Sequence, residues 1–405
     1  MVSRISPARA GALALGLAAA LFAPPILAQD APPACPAPLP VGPSGTAFYT
    51  PPDSLPDSDH GSIVWYRGYT DGVSAIAGGT NILLLYTQEG VHGNTVATSG
   101  SIVIPDGDAP DGGWPVVTWA HGTTGIADQC APTINDPPSD ADTRDKLLGG
   151  WVRKGYAVVR TDYEGLGTPG DHPYLIGPSE GRAVLDMVRA ARQFDARISA
   201  RVVIAGHSQG GHAALWAASL APAYTPELDV RATIAFAPAN SLESEVPLLN
   251  AVGNTTALSG TVALIVRGLS IANASLDVVD IMTPDAAALY PQTLTVCSAA
   301  LDDPTSFGGL GANDLVQAHA RLTDVLAQLK DNDPTYLTGI PQPVLVLQGS
   351  ADTTVFPFTT AAMVKNLKAG GVDIVEQVYT GATHMTVIDA AMANATDYLV
   401  SVLSA

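Results

Sequence analysis

The residues best suited to chemistry lie in the segment Gly206-His207-Ser208-Gln209-Gly210. A short apolar run at 202–205 precedes it and an alanine-rich run follows, which predicts a strand, a sharp turn and a helix. In that context Gly-x-Ser-x-Gly is a nucleophile elbow, in which the serine lies on a strained turn and the small glycines leave room for it. The pattern therefore predicts that Ser208 is a nucleophile rather than part of an ordinary glycine-rich loop.

A serine hydroxyl attacks well only when a base removes its proton, and the base is usually a histidine oriented by a carboxylate. In chains with this elbow, the acid and then the histidine follow the serine. Asp352 lies just past the apolar run 343–348, and His384 lies between the last predicted strand and the last predicted helix. The other histidine after the helix that follows the elbow is His319, which falls in a region without predicted strands. We therefore predict a catalytic triad of Ser208, Asp352 and His384.

Attack on a carbonyl carbon creates an oxyanion, which two preorganised backbone N–H groups should stabilise. One is the amide of Gln209, directly after the nucleophile. The other is expected from the loop after the third predicted strand, His121-Gly122-Thr123-Thr124. We predict Thr123 as this second donor, with Thr124 as the alternative, and expect His121 to brace the loop.

A second polar, glycine-rich loop at 161–174 follows the fourth predicted strand. Its position predicts that Tyr163, together with Thr124, contacts the substrate. A structured turn whose acidic side chains form internal hydrogen bonds fits the same sequence equally well. A metal site built from the aspartates of this loop and His172 is disfavoured, and we expect neither a metal nor an organic cofactor.

Apolar strands alternate with helix-like segments along most of the chain, which indicates an α/β fold with a mostly parallel central sheet and helices on both faces. The first two predicted strands form an antiparallel pair. The predicted strands are 81–87, 96–104, 115–120, 156–161, 202–205, 232–237, 343–348 and 374–379. The predicted covering helices are 145–154, 180–194, 211–220, 359–369 and 385–403.

About 100 residues between the sixth and seventh predicted strands, 239–342, contain no clear buried strand. Because a stretch of this length is too long for a loop in a compact domain, we predict a helical cap, with helices at 262–271 and 314–329. Such a cap would cover the carboxyl ends of the strands, where α/β sheets bind ligands. The two parts of the core are then 29–238 and 343–405.

Residues 1–28 have the features of a secretory signal peptide: the positive residues Arg4 and Arg9, an apolar run at 11–23 and the small residue Ala28. We therefore expect export, either to the periplasm or out of the cell. The proline-rich segment from there to about residue 52 predicts an extended arm.

An exported chain can form disulfides. Its three cysteines, Cys35, Cys130 and Cys297, allow one internal bridge with three possible pairings.

The composition indicates a folded, acidic protein. Of the 405 residues, 47% are hydrophobic and 14% are charged, which argues against disorder. The formal net charge is −19, and loss of Arg4 and Arg9 with the signal peptide would change it to −21. Such a surface repels nucleic acid and anionic membranes. Past the signal peptide we expect no membrane-spanning helix, and we expect a monomer.

The order of these motifs resembles that of the secretory lipase family, the lipase A-like α/β-hydrolases and their bacterial members. The resemblance covers the chain from about residue 81 to its end. It implies an α/β-hydrolase fold, a helical cap between the sixth and seventh strands, and a serine esterase acting on carboxylic esters such as glycerides. It rests on His121-Gly122-Thr123, Asp162-Tyr163-Glu164-Gly165, the elbow with Gly211, Gly349-Ser350-Ala351-Asp352 and Thr383-His384.

Three other functions fit parts of the sequence. An exported esterase can meet insoluble polymers, so a polyester or cutin hydrolase is an alternative, although a cap over the site argues against it. A secreted serine peptidase on the same fold would need polar groups that bind a peptide terminus, and no motif indicates them. A non-catalytic binding protein is disfavoured because the serine, aspartate and histidine are all present.

Overall fold

The computed structural model describes residues 38–404 except 57–59, 71–73, 136, 138–139, 244–255, 257, 302 and 318–321. The predicted signal peptide and Cys35 lie outside the described residues. From Leu39 onward the chain forms one compact unit.

The core of this unit is a nine-stranded sheet with the order β1-β2-β3-β5-β4-β6-β7-β8-β9. The first three strands and the junction of β3 with β5 are antiparallel, and all pairings from β5 through β9 are parallel. The strands are β1 (Ile63–Tyr69), β2 (Gly79–Glu89), β3 (Thr95–Pro105), β4 (Trp114–Ala120), β5 (Ala157–Thr161), β6 (Ile198–His207), β7 (Asp229–Phe236), β8 (Val344–Gly349) and β9 (Ile374–Tyr379). The predicted mostly parallel α/β sheet is confirmed.

The prediction of eight strands was wrong by one, because β1 was missed. Its sequence, IVWYRGY, is neither continuously apolar nor strictly alternating, since Arg67 and Gly68 interrupt it. Among the described strands its one neighbour is β2, and on its other side only an isolated bridge joins Tyr66 to Val41. As an edge strand it therefore needs fewer apolar residues than a central strand. With this strand counted, the segment 239–342 lies between β7 and β8 rather than between a sixth and a seventh strand.

Helices cover both faces of the sheet. The α-helices are α1 (Gly149–Arg153), α2 (Gly177–Phe194), α3 (Gln209–Tyr224), α4 (Ser259–Ala272), α5 (Val278–Ile281), α6 (Pro284–Leu289), α7 (Ser298–Leu301), α8 (Ala312–Leu315), α9 (Leu322–Asp331), α10 (Pro357–Ala369) and α11 (Thr386–Leu403). Helices α2, α3 and α10 pack on one face, and α1 and α11 pack on the other.

Successive residues of the central strands belong to different core clusters. Val116 of β4 packs under α2 and α3, whereas its neighbour Val117 packs under α1 and α11, and both are completely buried. Burial of one such side chain contributes about 1.5–3 kcal/mol to folding. Because both faces are covered, a strand must be apolar at every position, which explains the unbroken apolar runs in the sequence.

The prediction of an extended arm up to residue 52 was wrong for its described part. Gly45–Tyr49 forms a short 3-10 helix, and Phe48 is 1% exposed. The Phe48 carbonyl accepts a hydrogen bond from the Trp65 indole at 2.9 Å, and Phe48 packs in a cluster with Val64 of β1. This segment packs because it has aromatic side chains that fit against the missed strand.

Helices dominate the segment 239–342, which we call the cap segment. Its apolar core includes residues of α4, α8 and α9 and packs on Ile126, Tyr174 and Ile176 of the core loops. The predicted single helix 314–329 was wrong: α8 ends at Leu315, and Val316 forms an antiparallel bridge with Met282. Two backbone hydrogen bonds, from Thr283 N to Leu315 O and from Gln317 N to Ile281 O, support that bridge and interrupt the helix.

One disulfide lies within the described residues, between Cys130 and Cys297. It joins a 3-10 turn, Asp128–Cys130, to the cap segment across 167 residues of sequence. Within the same described part of the chain, no helix is long and apolar enough to cross a membrane.

Candidate active site

Ser208 lies on the strained turn that the sequence predicted. Its backbone angles are φ 57° and ψ −117°, a conformation that costs a non-glycine residue free energy and is often found at active sites. The turn joins the end of β6 to the start of α3. The Ser208 N–H donates to Phe236 O, and Ser208 O accepts from the N–H of His212 and of Ala239, all at 3.0 Å. The surrounding backbone thus holds the turn in place.

The flanking glycines are required because backbone atoms fill the space where a side chain would lie. A Cβ on Gly206 would collide with the Gly210 carbonyl, and a Cβ on Gly210 would collide with the Ala120 carbonyl. A Cβ on Gly211 would lie 2.7 Å from Pro238 Cα. The predicted reason for the Gly-x-Ser-x-Gly spacing, close approach of strand, turn and helix, is confirmed.

The structure brings Asp352 and His384 together. Asp352 lies in the turn after β8, His384 lies in the loop after β9, and His384 Nδ1 is 2.8 Å from Asp352 Oδ2. Asp352 Oδ1 also accepts hydrogen bonds from the N–H groups of Thr354 and Val355, both at 2.9 Å. Burial alone would raise the pKa of Asp352, but the hydrogen bond and charge of His384 and these two amides lower it below its usual value. The carboxylate therefore stays ionised and can orient the imidazole.

His207 links the elbow to the loop of His384. Its Nε2 donates to the His384 carbonyl at 2.9 Å, and the two imidazole rings have their centroids 4.7 Å apart. Because His207 directly precedes Ser208, this contact holds the candidate base beside the elbow. The His384 side chain is 13% exposed and Ser208 is partly exposed, so neither residue is completely closed off from solvent.

The amide of Gln209 is the first N–H of α3. Amides in the first turn of a helix have no acceptor within the helix and carry partial positive charge, so they suit a developing oxyanion. Gly122 lies next to the elbow, because a Cβ built on it would be 3.8 Å from Ser208 Cβ. The loop that carries the candidate donors Thr123 and Thr124 therefore begins beside the nucleophile.

Side chains of the core hold the first part of this loop. His121 Nδ1 donates to the Gly122 carbonyl at 2.7 Å, and the Tyr163 hydroxyl donates to the His121 carbonyl at 3.0 Å. The Thr123 hydroxyl is 2.7 Å from the Tyr174 hydroxyl. The expectation that His121 braces the loop is confirmed by its hydrogen bond to Gly122.

The structure places Tyr163 beneath the loop 121–125, which we call the oxyanion loop, rather than on the predicted substrate-binding surface. Its side chain is fully buried, and its ring stacks on His172 at a centroid distance of 5.6 Å. Tyr163 also has a φ of 70°, which holds it in this tight loop. Thr124, the other predicted substrate contact, is only 2% exposed. Neither side chain meets solvent where a substrate would approach, because the loop packs against the core.

A buried polar cluster below the elbow was not predicted from the sequence. Glu180 Oε1 accepts from the Gln209 side-chain amide at 2.8 Å, and Glu180 Oε2 lies 2.8 Å from His212 Nδ1. The same Gln209 amide lies 2.8 Å from His172 Nε2, and His212 Nε2 donates to Asn332 O at 2.8 Å. Glu180, His172 and His212 are 0% exposed, so the cluster ties the start of α3 to α2 and to the end of the cap segment.

The residues of the disfavoured metal site have other partners. Asp162 accepts hydrogen bonds from the hydroxyl groups of Ser99 and Thr133, and Asp171 pairs with Arg267. The Nε2 atom of His172 is within hydrogen-bond distance of the Gln209 side-chain amide. Among the described residues, no group of three or more histidine, cysteine or acidic side chains could hold a metal ion.

Because His207 is buried, we predict that the protein loses stability in acid. Burial, followed by the nearby charge of His384, lowers the pKa of His207 to about 3. In the unfolded chain His207 binds a proton below about pH 6.5, whereas in the folded protein it stays neutral until the pH approaches 3. The contribution of neutral His207 to the free energy of unfolding is therefore fully present above about pH 6.5 and is lost as the pH falls towards 3. A His207→Gln variant, which cannot take up the proton, should lose stability less steeply, by up to about 1.4 kcal/mol for each pH unit.

Urea unfolding at several pH values between 7.5 and 4 measures this slope. His92→Gln, at an exposed histidine, is the control and should keep the wild-type slope. Identical slopes for wild type and His207→Gln would show that His207 is not the group that takes up the proton.

The fold is similar to that of solved lipases. The structure matches Candida antarctica lipase A in its closed state with a TM-score of 0.74 at 21% sequence identity, over 88% of this chain and 85% of that one. At this identity the likeness establishes the α/β-hydrolase fold and no more.

Curated relatives are similar in sequence over about half of their length. Lipase A of Moesziomyces aphidis is 28% identical over 229 residues, which are 54% of this chain and 47% of the relative. A protein of Mycobacterium tuberculosis named as a probable inactive lipase is 27% identical over 247 residues, 57% of this chain and 52% of the relative. Because one of these relatives is named as inactive, similarity alone does not decide activity.

A family model described as secretory lipase matches residues 141–401, which include Ser208, Asp352 and His384. The match spans well over half of the chain, and the fold and the elbow agree with it. This protein therefore belongs to the secretory lipase family.

Proposed function

We propose that this protein is a secreted serine carboxylic ester hydrolase, a lipase or esterase that acts on acyl esters such as glycerides through an acyl-enzyme. The observation that carries the proposal is the 2.8 Å contact of His384 with buried Asp352, in a loop that His207 joins to the strained elbow of Ser208. Membership of the secretory lipase family supports the same reaction class.

In the proposed mechanism, the Ser208 hydroxyl attacks the ester carbonyl while His384 takes its proton. Asp352 holds the imidazole in the required tautomer and stabilises the imidazolium ion. The N–H groups of Gln209 and Thr123 stabilise the oxyanion. His384 then protonates the leaving alcohol and activates a water molecule that releases the acid.

Membership of the secretory lipase family favours a protein that acts outside the cytoplasm. We propose that residues 1–28 direct export, and that the mature protein acts in the periplasm or the medium on small-molecule or lipid esters. Its net charge of −19 disfavours nucleic acid as a partner.

The experiment is a rate series on p-nitrophenyl esters from acetate to palmitate, with a peptide anilide and a polyester film assayed in parallel. We expect hydrolysis of the esters with an optimum acyl length, and little release from the anilide. Preferential hydrolysis of the film would favour the polyester alternative. Hydrolysis of the anilide without the esters would favour the peptidase, and no turnover of any of them would contradict the proposal.

A further inference from the structure

Ser298, a residue of the cap segment, hydrogen-bonds two consecutive carbonyls of the oxyanion loop, residues 121–125. Its hydroxyl donates to Thr123 O at 3.0 Å, and its N–H donates to Thr124 O at 2.9 Å. We propose that Ser298 is a positioning residue for the oxyanion hole and that the Cys130–Cys297 disulfide keeps it in place. This inference rests on the proposed esterase function.

Because the peptide group is planar, the hydrogen bonds of Ser298 to loop carbonyls also orient loop N–H groups. In a planar trans peptide the C=O of one residue and the N–H of the next point in opposite directions. By holding the carbonyls of Thr123 and Thr124, Ser298 therefore orients the N–H groups of Thr124, the alternative oxyanion donor, and of Gly125. It also fixes the peptide plane that follows Thr123, the proposed donor, whose own N–H lies in the preceding plane. His121 orients the N–H of Thr123 in the same way, because it holds the Gly122 carbonyl. The loop amides thus depend on one side chain from the core and one from the cap segment.

The disulfide limits how far the cap segment can move from this loop. Cys297 directly precedes Ser298, and its partner Cys130 is 1% exposed in the turn that follows the oxyanion loop. Gln129 adds a hydrogen bond to Thr295 O at 2.7 Å. The loop packs tightly on the bridge at Gly125, where a Cβ would lie 3.0 Å from Cys130 Sγ and 3.1 Å from Cys297 Cα. A displacement of the cap segment at this point would therefore displace the loop.

The test compares Ser298→Ala with the wild-type protein on a p-nitrophenyl ester. Loss of a complete oxyanion donor costs about 10²–10³ in kcat, so a donor that is only misaligned should cost less, about tenfold, with KM nearly unchanged. The rate of covalent inactivation by a p-nitrophenyl alkylphosphonate, which forms a tetrahedral adduct, should fall by a similar factor. Ser298→Thr keeps the hydroxyl and should restore most of kcat.

Ser259→Ala is the matched control. Ser259 is also in the cap segment, and its hydroxyl donates to a backbone carbonyl, Leu310 O, at 2.7 Å, away from the oxyanion loop. We expect it to lower Tm without lowering kcat. The double variant Cys130→Ser with Cys297→Ser should reproduce the kcat loss of Ser298→Ala when it is assayed below its own Tm.

Two results would overturn the inference while the proposed function stands. One is an unchanged kcat in Ser298→Ala, with Ser208→Ala inactive. The other is an equal loss of kcat in Ser298→Ala and Ser259→Ala, which would indicate a general effect of cap stability. A wild-type protein that hydrolyses no ester would instead overturn the proposed function and, with it, this inference.

Discussion

Replacing Ser208 by alanine is expected to lower kcat for ester hydrolysis by about a million-fold, the loss seen when the nucleophile of a serine hydrolase is removed. The acyl-enzyme cannot form without the hydroxyl. Alanine retains the Cβ that makes the elbow unfavourable, so the backbone strain at φ 57° and the free energy of unfolding should change little. Initial rates on the best p-nitrophenyl ester and a thermal unfolding curve measure the two quantities.

Covalent labelling gives an independent measurement of the same prediction. An alkylphosphonate should add its mass to the wild-type protein and leave Ser208→Ala unlabelled. Ser219→Ala is the control, because Ser219 lies on the same helix and its hydroxyl donates only to Thr338 O at the surface. Substantial esterase activity or labelling in Ser208→Ala would show that another residue is the nucleophile.

Replacing Asp352 by asparagine is expected to lower kcat by about ten thousand-fold, as it does for the acid of an established triad. The reason lies in the donors that surround the carboxylate. Thr354 and Val355 donate to Oδ1, and Gln348 donates to Oδ2 at 3.1 Å, beside His384. An asparagine satisfies the two backbone amides only by turning its own NH₂ group towards His384.

Such an NH₂ group donates to His384 Nδ1, so the proton of the neutral imidazole must move to Nε2. An imidazole in that tautomer cannot accept the Ser208 proton. The kcat and KM of Asp352→Asn on a p-nitrophenyl ester measure the loss. Asp389→Asn, an exposed change of the same charge in the first turn of α11, is the control and should behave like the wild type. Near wild-type kcat in Asp352→Asn would remove Asp352 from the mechanism.

The parts of this protein that short sequence patterns encode could be predicted. The elbow is one of them, because a serine with φ 57° brings residues 206 and 210 into contact, so that the short Gly-x-Ser-x-Gly pattern marks the turn. The central strands are another, because burial on both faces leaves unbroken apolar runs. The edge strand β1 was missed because its half-exposed position imposes no such run.

Contacts between distant parts of the chain could not be predicted. The spacing of three cysteines left three pairings open, and the structure shows the bridge between Cys130 and Cys297 because their Cα atoms lie 5.5 Å apart. The sequence placed Tyr163 near the site but could not show that its side chain points down to the His121 carbonyl.

The sequence by itself determined the α/β sheet and the serine elbow, because each depends on residues that are close together or that recur at a fixed period. It also indicated the family, because the order of short motifs can be read along the chain. Only the tertiary structure decided what supports the oxyanion loop and the elbow. Ser298 lies 175 residues from Thr123, and Glu180 lies 29 residues from Gln209, and each reaches its partner through the packing of separate elements. No local pattern marks such residues, because their partners are chosen by the fold rather than by their neighbours in sequence.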